Sequence, residues 1–386
     1  MENNIKELEI KNFKSIKHIK FNPKRVNVII GKPNVGKSNI LEAMTLMTDF
    51  FGYRHAGEHK MFKREGVFRY QDMFNLFYDE DVKNNIEVLT DKAAAYFISD
   101  DSSFQLFCID KYWLETFNKL KIDFNWRNLW SFMSSVQNNG TQFTDVDDPE
   151  KPLRKYLSYL RPFAVNFSKE GGFGGELDHL GVPYKNVIHR YSYKHFESYK
   201  NSFKGFLDAP FGENLFAILN HNKELLNEVA GFIEEQGLEF VLDKKENKFI
   251  IQKKLDRIVY QVPYSNIADT LRHVIFYLAA IESNKDAVLI FEEPEVHSYP
   301  PYIKMLADKI VLNEENQYFI STHSPYMLNT LIDGLGDDEL NVVLTYYEDY
   351  QTKIKILSAE ELAEIQEWKT DIFFNIDKFT NHLQEK

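Results

Sequence analysis

The chain has 386 residues, 44% of them hydrophobic and 27% charged, with 46 basic against 58 acidic side chains and a net charge of −12. That length allows about two domains and a sizeable core, and the acidic balance argues against a surface that coats DNA indiscriminately. No apolar run approaches the roughly 18–20 residues of a transmembrane helix and no basic-then-apolar leader opens the chain. The single cysteine, Cys108, excludes an internal disulfide and reads as a buried, inert thiol, so the expectation is a cytoplasmic protein with no membrane partner.

Residues 8–16 alternate apolar and polar and residues 19–21 continue extended, which predicts a β-hairpin. A buried strand over residues 26–30 then runs into Gly31-Lys32-Pro33-Asn34-Val35-Gly36-Lys37-Ser38, and a helix opens with Ser38 and continues to about residue 51. Strand, G-x-x-x-x-G-K-S and helix in that order make a phosphate loop. Its glycines let backbone N–H groups close around a β-phosphate at the positive end of a helix dipole. Lys37 brings a point charge to the β- and γ-phosphates, and the Ser38 hydroxyl can sit on Mg²⁺. Gly31 to Asn39 are therefore candidate nucleotide-binding residues.

A charged loop follows to about residue 66, then an aromatic-rich segment over 68–77. Three short strands at 85–90, 94–98 and 104–109 suggest an antiparallel subsheet. Residues 110–212 lose regular patterning. Trp113, Trp126 and Trp130 fall in a helical stretch, 136–149 is polar, and 171–175 is glycine-rich. Residues 184–203 interleave Lys185, Arg190, Lys194 and Lys200 with tyrosines and phenylalanines. Such a mixture either stacks on bases and touches phosphates or is a solvated face over a buried aromatic stripe. Residues 213–236 read as one strong amphipathic helix, followed by short strands near 238–242, 249–252 and 258–262.

A helix is expected from residue 264 to about 282, with Ser265 and Asp269 as N-terminal caps. The buried strand 287–291 ends in Glu292-Glu293, the arrangement a phosphoryl-transfer site needs opposite a phosphate loop. Glu292 would hold hydrated Mg²⁺ and Glu293 would orient the attacking water. A further strand, 317–321, ends in Thr322-His323-Ser324-Pro325, placing His323 to donate to a γ-phosphate. His297 is a weaker candidate for such a role. Strands near 342–346 and 354–357 and a Glu-rich helix complete the chain.

With these residues in hand, the chain resembles the ABC-type AAA ATPases related to the OLD, RecF and SMC proteins. The resemblance is carried by Leu8-Glu9-Ile10-Lys11-Asn12-Phe13-Lys14-Ser15, the phosphate loop, Phe291-Glu292-Glu293-Pro294-Glu295-Val296-His297 and Ser321-Thr322-His323-Ser324-Pro325. It implies an α/β ABC-type ATPase head with an antiparallel β subsheet, built from residues 1–109 and 237–386 around a mainly helical insertion at 110–236. It implies ATP and Mg²⁺ as cofactors, a homo-oligomer in which two heads sandwich ATP, and Gln71 as a metal- and water-sensing residue.

The position of the family's signature helix is taken by Tyr264-Ser265-Asn266-Ile267-Ala268-Asp269-Thr270, without the usual paired glycines; Ser265 would act on the nucleotide of the opposing head. Residues after 325 show no acidic cluster of nuclease character, and the insertion lacks the heptads of a long coiled-coil arm. The reading is a stand-alone ATP-hydrolysing switch controlling a separate effector, a nuclease or toxin, in a bacterial anti-phage setting like those of PARIS and Septu. The rival readings are a RecF-like repair ATPase that clamps DNA, and an ATP-bound scaffold without turnover.

Overall fold

The computed structural model describes residues 2–48, 68–100, 103–110, 163–167, 173–174, 187–368 and 371–380. The expected end of the first helix near 51, the charged loop to 66, the three tryptophans and the glycine run at 171–175 lie wholly or largely outside these residues.

The predicted hairpin is present as β1 (Leu8–Phe13) and β2 (Ile16–Phe21), paired antiparallel through a turn at Lys14 in the left-handed region. Leu8, Ile10, Phe13, Ile16, Ile19 and Phe21 are all buried; the alternation holds for Leu8–Ile10 and Ile19–Phe21 and slips by one residue before Phe13, where Asn12 is left-handed, and between Ile16 and Ile19. β3 (Val26–Ile30) is buried throughout and leads through the phosphate loop into helix α1 (Lys37–Thr45), which is shorter than the sequence suggests. β4 (Ile86–Thr90), β5 (Ala93–Asp100) and β6 (Ser103–Asp110) form the expected antiparallel ladder. β7 (Phe163–Phe167) and β8 (Phe173–Gly174) extend it, giving the order β2-β1-β4-β5-β6-β7-β8.

β9 (Ile188–Tyr191) is the edge of a second sheet. Helices Leu215–His221 and Lys223–Glu234 come next, followed by a three-stranded sheet of β10 (Glu239–Asp243), β11 (Lys248–Leu255) and β12 (Ile258–Pro263). The helix Asp269–Ser283 precedes β13 (Val288–Glu292), helix Pro300–Leu312 precedes β14 (Gln317–Ser321), and helix Pro325–Gly334 precedes β15 (Leu340–Glu348) and β16 (Gln351–Ile356).

The second sheet runs β16-β15-β3-β14-β13-β9, with β16 antiparallel and every other neighbouring pair parallel. Its strands β3, β13 and β14 are continuous apolar runs, as expected of a parallel sheet covered on both faces. One core packs the helices from 215 onward against one face; the other fills the space among α1, the first sheet and the opposite face. Parallel register sets Glu292 beside Ser321 and Ser321 beside Ile29, so the carboxyl ends of β13, β14 and β3 open on one rim.

The middle of the chain is less separate than expected. β7 and β9, both inside 110–236, are strands of the two main sheets, β7 pairing with β6 and the buried β9, with His189 and Arg190 at its centre, pairing with β13. The helix expected over 213–236 is two, broken at Asn222, whose side chain accepts from the Leu225 N–H at 3.0 Å and caps the second.

The basic and aromatic stretch resolves toward the buried stripe. Tyr191 and Tyr199 are core residues, Lys200 pairs with Glu213 and Lys204 with Asp208, Lys194 lies over Phe211, and Arg190 points at Glu292. Tyr191 and Tyr199 are committed to the core and cannot stack on bases, while Phe203 remains 51% exposed and Tyr184 and Lys185 lie outside the described residues.

Candidate nucleotide site

Two glycines make the phosphate loop possible. Gly31 and Gly36 have φ of 154° and 97°, and a Cβ at either would lie 2.3 Å from the Thr345 carbonyl oxygen or 2.1 Å from Thr352 Oγ1. The loop is braced from both ends of the chain. Thr352 Oγ1 donates to the Val35 carbonyl at 2.9 Å and lies 2.6 Å from Ser15 Oγ, which also accepts from Asn39 Nδ2 at 2.7 Å. Asn39, expected to bind nucleotide, thus spends its amide on this brace.

Lys37 is buried and donates through Nζ to the carbonyls of Gly31 and Lys32, at 3.0 and 2.8 Å. Burial pulls its ammonium below the ordinary lysine value, while Glu293 and Glu292 pull the other way. Pro33 and Asn34 are exposed at the crest. Lys32 turns outward, its ammonium 2.6 Å from Asp377 in the helix Ile376–Thr380.

Glu292 closes β13 directly beside the loop. Burial alone would raise its carboxyl, but Arg190, Arg69 and a hydrogen bond from Ser38 hold it below the usual carboxylate range. The distances are 2.5 Å from Arg190 Nη2 to Oε2 and 2.8 Å from Arg69 Nη2 to Oε1. Glu293 follows with a left-handed φ of 45°, its N–H donating to the Ser321 carbonyl at 2.9 Å. Its carboxylate comes 3.4 Å from His323 Nε2. Burial, with help from Lys37, lowers the His323 imidazole below its ordinary value, Glu293 opposing.

Glu295 fixes the end of β14: its Oε1 accepts from the Thr322 hydroxyl at 2.6 Å and the His323 N–H at 2.7 Å. Burial raises this carboxyl despite those bonds.

Lys37, Ser38, Glu292, Glu293 and His323 are therefore brought to one rim. Three other expected residues sit differently. Gln71 is exposed, its N–H on Asn75 Oδ1, and Arg69 two residues earlier makes the link to Glu292. Ser265 lies on a separate 3₁₀ turn, Tyr264–Asn266, because the helix begins only at Asp269 with Ala268 as its cap residue. Among the described residues its hydroxyl reaches only Asn266, at 3.4 Å, and it lines a cavity of about 310 Å³ with His195, Tyr199, Lys248 and Tyr264, not with the phosphate loop. His297 offers its carbonyl to the Thr270 hydroxyl and its ring to His273.

Sequence reasoning missed Ser15, Arg69, Arg190, Glu295 and Thr352. Glu295 and Ser15 had a local signal, each standing in a quoted motif, Glu295 two residues after Glu293; the others become visible through the meeting of distant segments. The donor set fits a magnesium–triphosphate group: a buried ammonium, glycines in conformations that turn the loop tightly, and a hydroxyl and carboxylate already bonded to each other as hard oxygen ligands.

Fold and rim together define a phosphate-loop ATPase domain of mixed α/β construction. The chain belongs to the family described as "AAA domain, putative AbiEii toxin, Type IV TA system", whose model matches residues 26–329. It is similar to Endonuclease GajA of Bacillus cereus (strain VD045), with 23% identity over 363 residues, covering 83% of this chain and 55% of that protein. The chain thus spans about half the length of that curated relative. Among solved structures it is similar to an SMC head bound to the C-winged helix domain of ScpA, at TM-score 0.46 and 13% identity over 94% of this chain and 99% of that one. It is also similar to the SMC head domain from Thermotoga maritima, at TM-score 0.40 and 12% identity over 92% and 100%.

Proposed function

We propose that the protein is an ATP-hydrolysing switch whose heads assemble around Mg-ATP and whose opening and closing control a separate effector. The observation that carries this reading is the Glu293–His323 pair, 3.4 Å apart, on the same rim as Lys37 and the Ser38–Glu292 pair. Bound Mg-ATP would supply the scissile phosphoanhydride and the metal that neutralises developing charge. Lys37 would exchange its two carbonyl partners for phosphate oxygens. Ser38 and Glu292 would hold the metal, directly and through water. Glu293, on its strained backbone, would orient the attacking water, and His323 would donate to the γ-phosphate edge, kept in place by Glu295. Ser265 would complete the site of a second copy, with residues 1–109 and 237–386 forming most of the head and β7 and β9 adding strands to its sheets.

The setting we propose is bacterial anti-phage defence with a nuclease or toxin as effector. It is supported by the family's description as a putative toxin of a type IV system and by the similarity to Endonuclease GajA.

The test is the light-scattering mass of Glu293→Gln with Mg-ATP, with and without a short DNA duplex. A mass increase on ATP alone supports a nucleotide-built assembly addressing a protein. An increase that requires DNA replaces this reading with a DNA clamp, and no change with ATP removes the shared-site model.

A further inference from the structure

The Glu292 carboxylate is gripped by two arginines of opposite accessibility. Arg190, on the edge strand β9, is 5% exposed and also reaches Thr45 Oγ1 on α1 at 3.3 Å. It is thereby wedged between the end of β13 and the phosphate-loop helix. Arg69 is 64% exposed and sits on an irregular segment. That segment is tied down at its backbone, where the Arg69 carbonyl accepts from Lys14 Nζ at 2.8 Å, and Lys14 in turn pairs with buried Glu42 of α1.

We propose that the two arginines divide the work on Glu292: Arg190 is a permanent positioning residue that holds the carboxylate against Ser38, and Arg69 is an exchangeable counter-ion that yields Oε1 to a divalent cation. The proposal rests on the ATPase reading above.

The asymmetry follows from solvation. A guanidinium as buried as Arg190 that let go of Glu292 would lose a charged hydrogen bond in a poorly solvated place, where water does little to replace it. Arg69 loses little on release, because water already covers most of it. Each arginine holds a different oxygen, so freeing Oε1 leaves the Arg190–Oε2 bond intact and the carboxylate aimed as before. Each oxygen keeps a second lone pair, but the Arg69 guanidinium at 2.8 Å from Oε1 sets a positive charge where a cation would approach that oxygen. A cation at Oε1 therefore favours release of an arginine, and the exposed one is the cheaper to move. While it holds Oε1, Arg69 opposes a metal ion settling on that oxygen of Glu292.

The experiment measures free Mn²⁺ by electron paramagnetic resonance during titration into protein with saturating ADP, so no turnover is involved. Arg69→Gln should lower the half-saturating Mn²⁺ concentration by about two- to five-fold, the range of an exposed ion pair removed. Arg190→Gln should raise it by about ten-fold or more, as loss of a charged hydrogen bond to the ligand predicts, with Arg190→Lys in between. Unchanged or weaker Mn²⁺ binding in Arg69→Gln overturns the exchange, and an Arg190→Gln titration matching the wild type overturns the positioning role. If Arg190→Gln does not fold, Arg69→Gln and Arg190→Lys decide. Wild-type protein that binds no ADP at any Mn²⁺ concentration refutes the ATPase reading instead.

Discussion

The Thr352 hydroxyl, on the last strand of the core sheet, donates to the carbonyl of Val35 in the phosphate loop at 2.9 Å, across 317 residues of sequence. Its N–H also donates to the Ser15 carbonyl at 2.7 Å, so one residue ties the loop to the first hairpin and to β16. Thr352 is fully buried. Thr352→Val removes the donor while keeping the shape, leaving a buried carbonyl unsatisfied at a cost of about 1–3 kcal/mol. Loosening the loop should weaken nucleotide binding by about ten-fold, read by titration with a fluorescent ATP analogue. Wild-type affinity would show that the loop holds its shape unaided.

Lys37 should be indispensable for binding. Lys37→Ala removes the one buried ammonium at the loop while leaving the Gly31 and Lys32 carbonyls facing an open, wettable rim, so stability should change little and ATP affinity should fall about a hundred-fold or more. Undiminished affinity with an unchanged melting temperature would reject the assignment of the phosphate loop.

Glu293 and Glu295 should separate in their effects. Glu293→Gln keeps the size of the side chain and removes its basicity, so binding should persist while turnover drops by two to four orders of magnitude, roughly the worth of a positioned general base. Glu295→Gln leaves an amide oxygen able to accept from Thr322 and His323, so it should reduce turnover by only about ten-fold. Glu295→Ala, which frees the end of β14, should reduce it further and lower the melting temperature. Equal losses in Glu293→Gln and Glu295→Gln would mean that Glu293 is not the water-orienting group.

Much of this site could be read from sequence because its parts are continuous in the chain. The phosphate loop, the Glu292-Glu293 strand end and the Thr322-His323 strand end each combine an apolar run with its chemistry within about ten residues, and parallel pairing then had one way to bring them together. What escaped notice was spread out. Arg190 sat in a stretch whose tyrosines and lysines resembled a binding surface. Only the pairing of β9 with β13, Ile290 against Arg190, reveals that its guanidinium ends beside Glu292. Ser15 and Thr352 look like ordinary turn and strand residues until the two sheets meet. Ser265 was expected to cap a helix, but Ile267 and Ala268 are extended and delay the helix to Asp269.

His323 gives the site a pH signature. Its imidazole is held below the ordinary value of about 6.5, first by burial and then by Lys37. The folded protein therefore binds this proton less readily than the unfolded chain. Above the unfolded value both states are neutral there and stability is unaffected. As pH falls through about 6.5 the unfolded chain takes up the proton first, and stability is lost until the folded value is passed. Melting temperatures from pH 8 to 5 should fall more steeply below pH 6.5 in the wild type than in His323→Gln, and parallel curves would remove His323 as the cause.

Ser265 decides whether one chain makes a whole site. Among the described residues its hydroxyl bonds only to Asn266, at 3.4 Å, and it lies on an exposed turn directly after β12. Ser265→Arg therefore places a long cation where the folded protomer has room for it, and monomer stability and ATP binding should be preserved. In a head-to-head assembly the same arginine would face the partner's nucleotide pocket and block closure. Equimolar mixing of Ser265→Arg with Lys37→Ala then distinguishes the models. In such a mixed pair one site joins an intact Lys37 to an intact Ser265, but the arginine still faces the other pocket and blocks closure, so turnover should stay low, and an unimpaired mixture would reject the shared site. Turnover by Ser265→Arg alone at the wild-type rate would show that each chain hydrolyses ATP with its own residues, and Ser265 would then be an ordinary turn residue.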